Sequence, residues 1–365
     1  MRNRVDYLFL SIVLVLVLFG LLIFLSASLG LLTRDVGGLS GIAGKQVGIG
    51  IGLGGIALLF FSRFSYKKLR PGAPYFFGLT LALTALVFVP HIGFATGGAY
   101  RWINLRILMF QPSEILKLGY VLYLAYALSQ LKETDSVWSG GMIPFIAATG
   151  AVALILLKQP DTGTFMVFFF TGLAMFLCAG MSWKQFGTIV LIALLGLGGL
   201  AYARPYVRDR FMTFIHPAHD SLGTSYQIQQ ALIAVGSGEG TGRGFGQSIQ
   251  KFTYLPEPIG DSIFAVAAEE FGFIGSLLII LLFIAFTLRG LKIGLKAPDQ
   301  FSSLLVIGIV IHIVSQSIIN ISSMLGLIPL TGVPLMFVSQ GGTALLIGLC
   351  EIGMVLNISR YAKLR

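Results

Sequence analysis

Charge is scarce in this chain. Asp, Glu, Lys and Arg make up 11% of its 365 residues. A soluble domain carries about 25%, so a water-facing surface is excluded for most of the chain. Cysteine is nearly absent. Cys178 and Cys350 stand far apart inside apolar runs, which leaves no disulfide framework and no cysteine metal spacing. The four histidines, His91, His216, His219 and His312, form no pair at ligand spacing. Glycine is plentiful, yet no Gly-Lys-Ser/Thr ending and no strand–loop–helix pattern accompanies it. That excludes a nucleotide phosphate loop.

What is present is apolar residue, 56% of the chain, with a mean hydropathy of +0.88. This composition predicts an all-α polytopic membrane protein. The net charge of +10 needs no nucleic acid, because basic residues at the cytoplasmic ends of helices account for it. Ten apolar segments approach the ~20 residues a bilayer requires. They run over 8–28, 44–62, 74–92, 112–131, 141–157, 163–180, 184–203, 262–289, 301–322 and 333–358. The first run is longer than the ~7–15 residues of a signal h-region, so it reads as an uncleaved helix. Only Lys158 to Thr162 separates the fifth and sixth.

Connector charge sets the orientation. With the N-terminus inside, fourteen Lys and Arg fall on cytoplasmic pieces, among them Arg2, Arg4, Arg63, Lys67, Lys68, Arg70, Lys132, Lys292, Lys363 and Arg365. Five fall on short outer loops: Arg34, Lys45, Arg101, Arg106 and Lys158. Both termini are then cytoplasmic. A large loop between the seventh and eighth helices, about 204–261, lies outside. No repeat is evident, and residues 1–365 read as one domain.

That loop holds the one long stretch that is neither apolar run nor short connector, Tyr226 to Phe273. Glycine occupies every second position from Gly236 to Gly246, which suits a mobile lid or a backbone that approaches a substrate. Asp261 stands at the mouth of the eighth span. A carboxylate there is a functional candidate, and equally a helix N-cap. Glu114 and Lys117, three apart at the start of the fourth span, share a face and can pair. They either neutralise each other or form the polar wall of a cavity. Asp161 is an N-cap or part of the same outer site. Arg101 and Arg106 are solvated rim charges or phosphate holders. Pro329, Pro334 and Gly341-Gly342 break the last spans, which a membrane tolerates where they line a cavity. Glu351, late in the tenth span, has no assigned role.

These residues resemble a known family. Arg101-Trp-Ile, Gln111-Pro-Ser-Glu-x-x-Lys117, Pro160-Asp-x-Gly-Thr164 and Tyr226-Gln through Gly238 carry the first part. Gly242-Arg-Gly-Phe-Gly246, Tyr254-Leu-Pro-Glu257, Asp261-x-Ile-Phe-Ala-Val266, Glu269-Glu-x-Gly272, Gly332-Val-Pro-Leu335 and Ser339-x-Gly-Gly342 carry the rest. Together they make the chain similar to the SEDS proteins, the FtsW/RodA/SpoVE group, over nearly its full length. The resemblance implies a peptidoglycan glycosyltransferase of the cytoplasmic membrane. It would polymerise lipid II into a nascent glycan strand and work with a class B penicillin-binding protein. Two departures stand out. The family's His-Thr before the aspartate and Phe after it are here Ile259, Gly260 and Ser262; its Ser-Tyr-Gly-Gly-Ser-Ser is Ser339-Gln-Gly-Gly-Thr-Ala344.

The chemistry expected follows from both readings. A carboxylate at the outer interface takes the proton of the attacking hydroxyl, and Asp261 is the candidate general base. The leaving pyrophosphate needs positive charge from Arg101, Lys117, Arg243 or a divalent cation such as Mg. Glu114, Asp161, Gln250 and Glu257 complete the candidate substrate contacts. The rivals are a lipid II flippase and a non-catalytic scaffold. A flippase needs polar groups near the midplane, whereas the charges here gather at the outer ends of spans. The run Gly246-Gln-Ser-x-Gln-Lys251 before Tyr254-Leu-Pro-Glu257 is closer to FtsW and SpoVE than to RodA, which points to division.

Overall fold

The computed structural model describes residues 5–33, 39–96, 99–104, 109–131, 141–216 and 225–362. Each of the ten apolar segments contains a helix. The first is α1 (Tyr7–Ser28), opened by Asp6, whose carboxylate accepts from the Phe9 N–H. Next come α2 (Leu39–Lys45) and α3 (Gly54–Arg63), joined by a π-helical stretch, Gln46–Leu53. Then follow α4 (Ala73–Ala85), α5 (Pro112–Leu128), α6 (Met142–Lys158), α7 (Thr162–Cys178) and α8 (Trp183–Ala203). The 204–261 segment contains α9 (Pro205–Ile215), α10 (Tyr226–Ser237) and the short α11 (Gln250–Thr253). The chain closes with α12 (Ile263–Leu295), α13 (Gln300–Met324) and α14 (Gly342–Ser359).

Among the described residues, six helical segments are long and apolar enough to cross a bilayer, and Ala73–Phe88, Met142–Lys158 and Thr162–Cys178 are apolar but shorter. The protein is a multi-pass membrane protein. Its hub is α13, buried along nearly its whole length and packed by α5, α7, α12 and α14. Asp299 and Ser302 cap the start of this helix reciprocally, which satisfies N–H groups that would otherwise be orphaned. In contrast, α8 buries only Gln185 and Ile189.

Three expectations are corrected. The fold is not purely helical. Residues read as plain connector form a small antiparallel sheet of β1 (Gly93–Thr96), β2 (Ala99–Asn104) and β3 (Met109–Phe110), in that order. Tyr100, Trp102 and Ile103 give β2 its strand character. The eighth span is broken. Gly272 has φ +63 and ψ −161 inside α12. The run that follows, 273–295, is about 34 Å long, enough to cross a bilayer by itself; the turns before it form a separate buried helix. The tenth helix starts at Gly342 rather than at 333, because Gly332 (φ +70), Pro334 and Gly341 (φ +158) keep the preceding segment extended and turned.

The alternating glycines are explained by that kink. A Cβ on Gly242 would strike the Glu270 carbonyl, and one on Gly238 would strike the Ala268 carbonyl. Backbone lies directly on backbone. Arg243 N–H donates to Glu269 O, Gly244 N–H to Glu270 O, and Phe273 N–H to Glu239 O. The glycine run is a clamp on the broken helix, not a lid over a substrate.

Candidate active site

Asp261 lies where four separate parts of the chain meet. Gln227, on α10, donates from Nε2 to Asp261 Oδ1 at 3.1 Å and to Ser262 Oγ at 3.1 Å. Asn320, on α13, donates from Nδ2 to the Asp261 carbonyl at 2.7 Å and to the Val333 carbonyl at 2.8 Å. The turn after α13 passes close by, with Gly332 beside Asp261 Oδ2. From α9, Arg210 reaches in and donates to the Thr331 carbonyl at 3.3 Å. Asp261 is partly exposed, and its carboxylate is not capping the first turn of α12.

The surroundings disfavour the charged form of Asp261. Burial raises its pKa from 3.8 to about 6, and the Glu257 charge adds to the rise. The Gln227 hydrogen bond and the Arg210 cation oppose it. Loss of hydration outweighs these contacts, as expected for a carboxylate with few donors. Arg210 is itself pushed down by burial and by Arg101, and supported by Asp161, Tyr206 and Asp261. Arg101, Asp161, Arg210 and Asp261 are therefore one electrostatic cluster.

Within that cluster Asp161 is the N-cap of α7, accepting from Thr164 N–H at 3.2 Å. It also meets Arg101 Nε at 3.9 Å. Arg101 donates to the carbonyls of Gln159 and Pro160, bracing the turn that separates α6 from α7. Arg106 and His219 lie outside the described residues, as do Arg2, Arg4, Arg34, Lys132, Lys363 and Arg365. Glu257 is exposed with φ +46, and its carbonyl accepts from Gly260 and Ser262.

Glu114 and Lys117 form the expected pair, 2.8 Å apart and buried. Lys117 also donates to Gln316 Oε1 at 2.6 Å, and Gln316 donates to the Pro334 carbonyl at 2.9 Å. Gln316 and Asn320 are one helical turn apart on α13. The pair thus stands behind the 331–334 turn and supports it, one layer back from Asp261.

Two candidates fall elsewhere. Arg243 is 3.5 Å from Glu269, which also accepts from Ser248 Oγ and the N–H groups of Ile249 and Gln250. Glu269 is about 12 Å beyond Asp261 along the helix, so Arg243 and Gln250 belong to the loop clamp. Next to it, the pair Lys251–Glu270 is fully buried and shares Ser26 of α1. Sequence reading missed this pair, together with Arg210 and Asn320. Nothing in their spacing relates them to Asp261; Lys251 and Glu270 were visible only as members of two separate motifs, with no sign that they pair.

The two departures from the family pattern turn out to face each other. Ser339 Oγ donates to the Gly260 carbonyl at 2.7 Å, and Gln340 N–H donates to the Ile259 carbonyl at 2.7 Å. Gln46, on the π-helical stretch, fixes this turn through Ser339 O and Gly341 N–H. The junction is held through main-chain carbonyls, so side chains at 259 and 260 can vary without loosening it.

A family model described as a cell cycle protein, FtsW/RodA/SpoVE, matches residues 6–364. The chain belongs to the FtsW/RodA/SpoVE family. Stage V sporulation protein E of Bacillus subtilis (strain 168) is 39% identical over 312 residues, 86% of this chain and 85% of that one. A probable peptidoglycan glycosyltransferase FtsW of Geobacter sulfurreducens is 34% identical over 363 residues, 99% and 96%. Among solved structures, one titled for polymerization and crosslinking by a peptidoglycan synthase complex aligns with a TM-score of 0.80. It is 27% identical and covers 98% of both chains. The rod shape determining protein RodA of Thermus thermophilus aligns with a TM-score of 0.70 at 26% identity, again over 98% of both.

A metal cage is not part of this family member's described residues: no three His, Cys, Asp or Glu side chains cluster closely enough to hold an ion. A divalent cation would rest on one or two carboxylates and on phosphates of the substrate. Glu351 meets His312 at 3.4 Å, both buried near the middle of their helices.

Proposed function

We propose that this protein polymerises lipid II into glycan strands at the outer face of the cytoplasmic membrane. Asp261 is the general base. The observation that carries the reading is the meeting of Gln227, Asn320, Arg210 and the 331–334 turn around Asp261, where burial pushes its pKa up to about 6. A carboxylate tuned toward neutrality takes a proton in the transition state more readily than one with pKa 3.8. The acceptor hydroxyl gives its proton to Asp261 as its oxygen attacks the anomeric carbon, and the lipid pyrophosphate leaves. Arg210 supplies charge beside the developing anion. Lys117, consumed by Glu114 and Gln316, acts by holding the 331–334 turn. Asn320 Oδ1 and Thr331 Oγ1 are buried with no protein donor, which suits a substrate rich in hydroxyls and amides.

In this reading the ten helices are ten spans, both termini are cytoplasmic and the 204–261 segment lies outside. A class B penicillin-binding protein is the expected partner. Identities of 39% and 34% to proteins named SpoVE and FtsW, against 26% to RodA, support a division role. A fluorescent fusion tests that: a septal band is expected, and signal along the side wall alone would refute it.

The flippase reading draws on His312–Glu351 at mid-span. The gap beside His312 has no room even for a water-sized molecule, whereas ligand pockets begin at ~300 Å³, so it cannot hold a disaccharide headgroup. The deciding experiment gives purified protein lipid II with its partner synthase. Long glycan strands are expected. Lipid movement across vesicles with no glycan product would favour the carrier.

A further inference from the structure

The far end of α5 carries a pocket that polymerisation does not use. Gln130, just past this helix, is about 24 Å along the axis from Glu114, at the opposite membrane face. There a cavity of about 590 Å³ is lined by Lys67, Arg70, Tyr75, Tyr126 and Gln130, with Pro71 and Pro74 as its stiff wall. The volume is that of an ordinary small-ligand site. Among the described residues its polar groups are two cations, two phenols and an amide, with no carboxylate. Among the described residues, neither Lys67 nor Arg70 forms an ion pair. Lys68 is turned away, over the Phe64 ring at 5.8 Å.

A guanidinium fork, an ammonium and phenolic O–H groups lining one open recess match a phosphate. What lies beside the cavity selects the source. Tyr75, Leu79 and Leu86 follow one another down one side of the Ala73–Phe88 segment and are exposed at 82, 65 and 40%. Exposed apolar side chains running away from a basic pocket suit acyl chains below a headgroup. Tyrosine at such a position sits at headgroup level. We propose that this pocket binds the phosphate headgroup of an anionic phospholipid, with its chains lying along α4. The proposal rests on the chain spanning a membrane and is independent of the catalytic assignment.

The test is native mass spectrometry of delipidated full-length protein titrated with phosphatidylglycerol. The variant is Lys67→Gln/Arg70→Gln, and the control is Lys292→Gln/Lys296→Gln, basic residues outside the pocket. Two surface cations together contribute a factor of about thirty to binding an anionic lipid. Wild type and control are expected to retain one phosphatidylglycerol at about thirtyfold lower concentration than the pocket variant. Phosphatidylcholine is expected not to be retained. Equal retention by wild type and pocket variant would overturn the proposal, as would equal binding of phosphatidylcholine. Displacement by excess inorganic phosphate would overturn the lipid as the source, in favour of a soluble phosphate. All three proteins should share one thermal midpoint, since Lys67 and Arg70 are exposed.

Discussion

Lys251→Met isolates the buried clamp that holds the 236–261 segment in place. The wild-type ammonium is fully buried, bonded to Glu270 and at 2.9 Å from Ser26 Oγ. Methionine fills similar space but leaves the Glu270 carboxylate buried with Ser26 as its remaining donor, at 2.6 and 2.7 Å. Stranding one partner of a buried pair costs about 3–5 kcal/mol. That shifts docking of the segment by roughly two to four orders of magnitude. The double variant Lys251→Met/Glu270→Leu removes both charges, and an apolar replacement of a buried pair is often close to neutral. Limited proteolysis of the purified protein reads the docking directly. The single variant should be cut between Gly236 and Gly246 far faster than wild type, and the double variant should be largely protected again. Glycan synthesis should follow the same order, because Asp261 follows this segment in the chain. Equal cleavage of Lys251→Met and wild type would refute the reasoning. So would a double variant cut faster than either single one.

Asp261→Asn should abolish polymerisation while the protein stays folded, since the amide keeps the size and cannot take the proton; near wild-type glycan synthesis in a gel assay would remove the general base. The rate should fall about tenfold per pH unit below ~6, the pKa of Asp261. Stability carries the opposite sign. A carboxyl with a folded pKa above its unfolded 3.8 contributes stability that is full below pH 3.8 and lost as pH rises through about 6; thermal midpoints across that window read it. Glu114 and Lys117 should show a coupling of about 1–3 kcal/mol in a double-mutant cycle of stability, with the double variant folded but impaired in activity; additive single effects would retire the pair. Gly242→Ala should be destabilising because its Cβ strikes the Glu270 carbonyl at φ +82, and a thermal midpoint equal to wild type would contradict the backbone clamp.

The local sequence determined most of the scaffold. Ten apolar runs produced ten helix-bearing segments because a chain in lipid must satisfy its own backbone hydrogen bonds, and length and hydropathy decide where it can. Pro112 at the first turn, Asp161 at an N-cap and the Glu114–Lys117 spacing are local features, and each came out as read. Pro334 and Gly341 likewise signalled broken helices. Tertiary structure decided what meets Asp261. Gln227, Arg210 and Asn320 come from three helices with no periodicity in common, so no window on the chain relates them. The glycine run could be read as a lid until the carbonyls of Ala268 and Glu270 were seen against it. Gly272 sits in an apolar helical pattern, and only the backbone pressed on it from Gly238 to Gly242 explains its left-handed φ. Burial likewise set the Asp261 pKa, since desolvation is a property of surrounding atoms that no neighbour in sequence supplies.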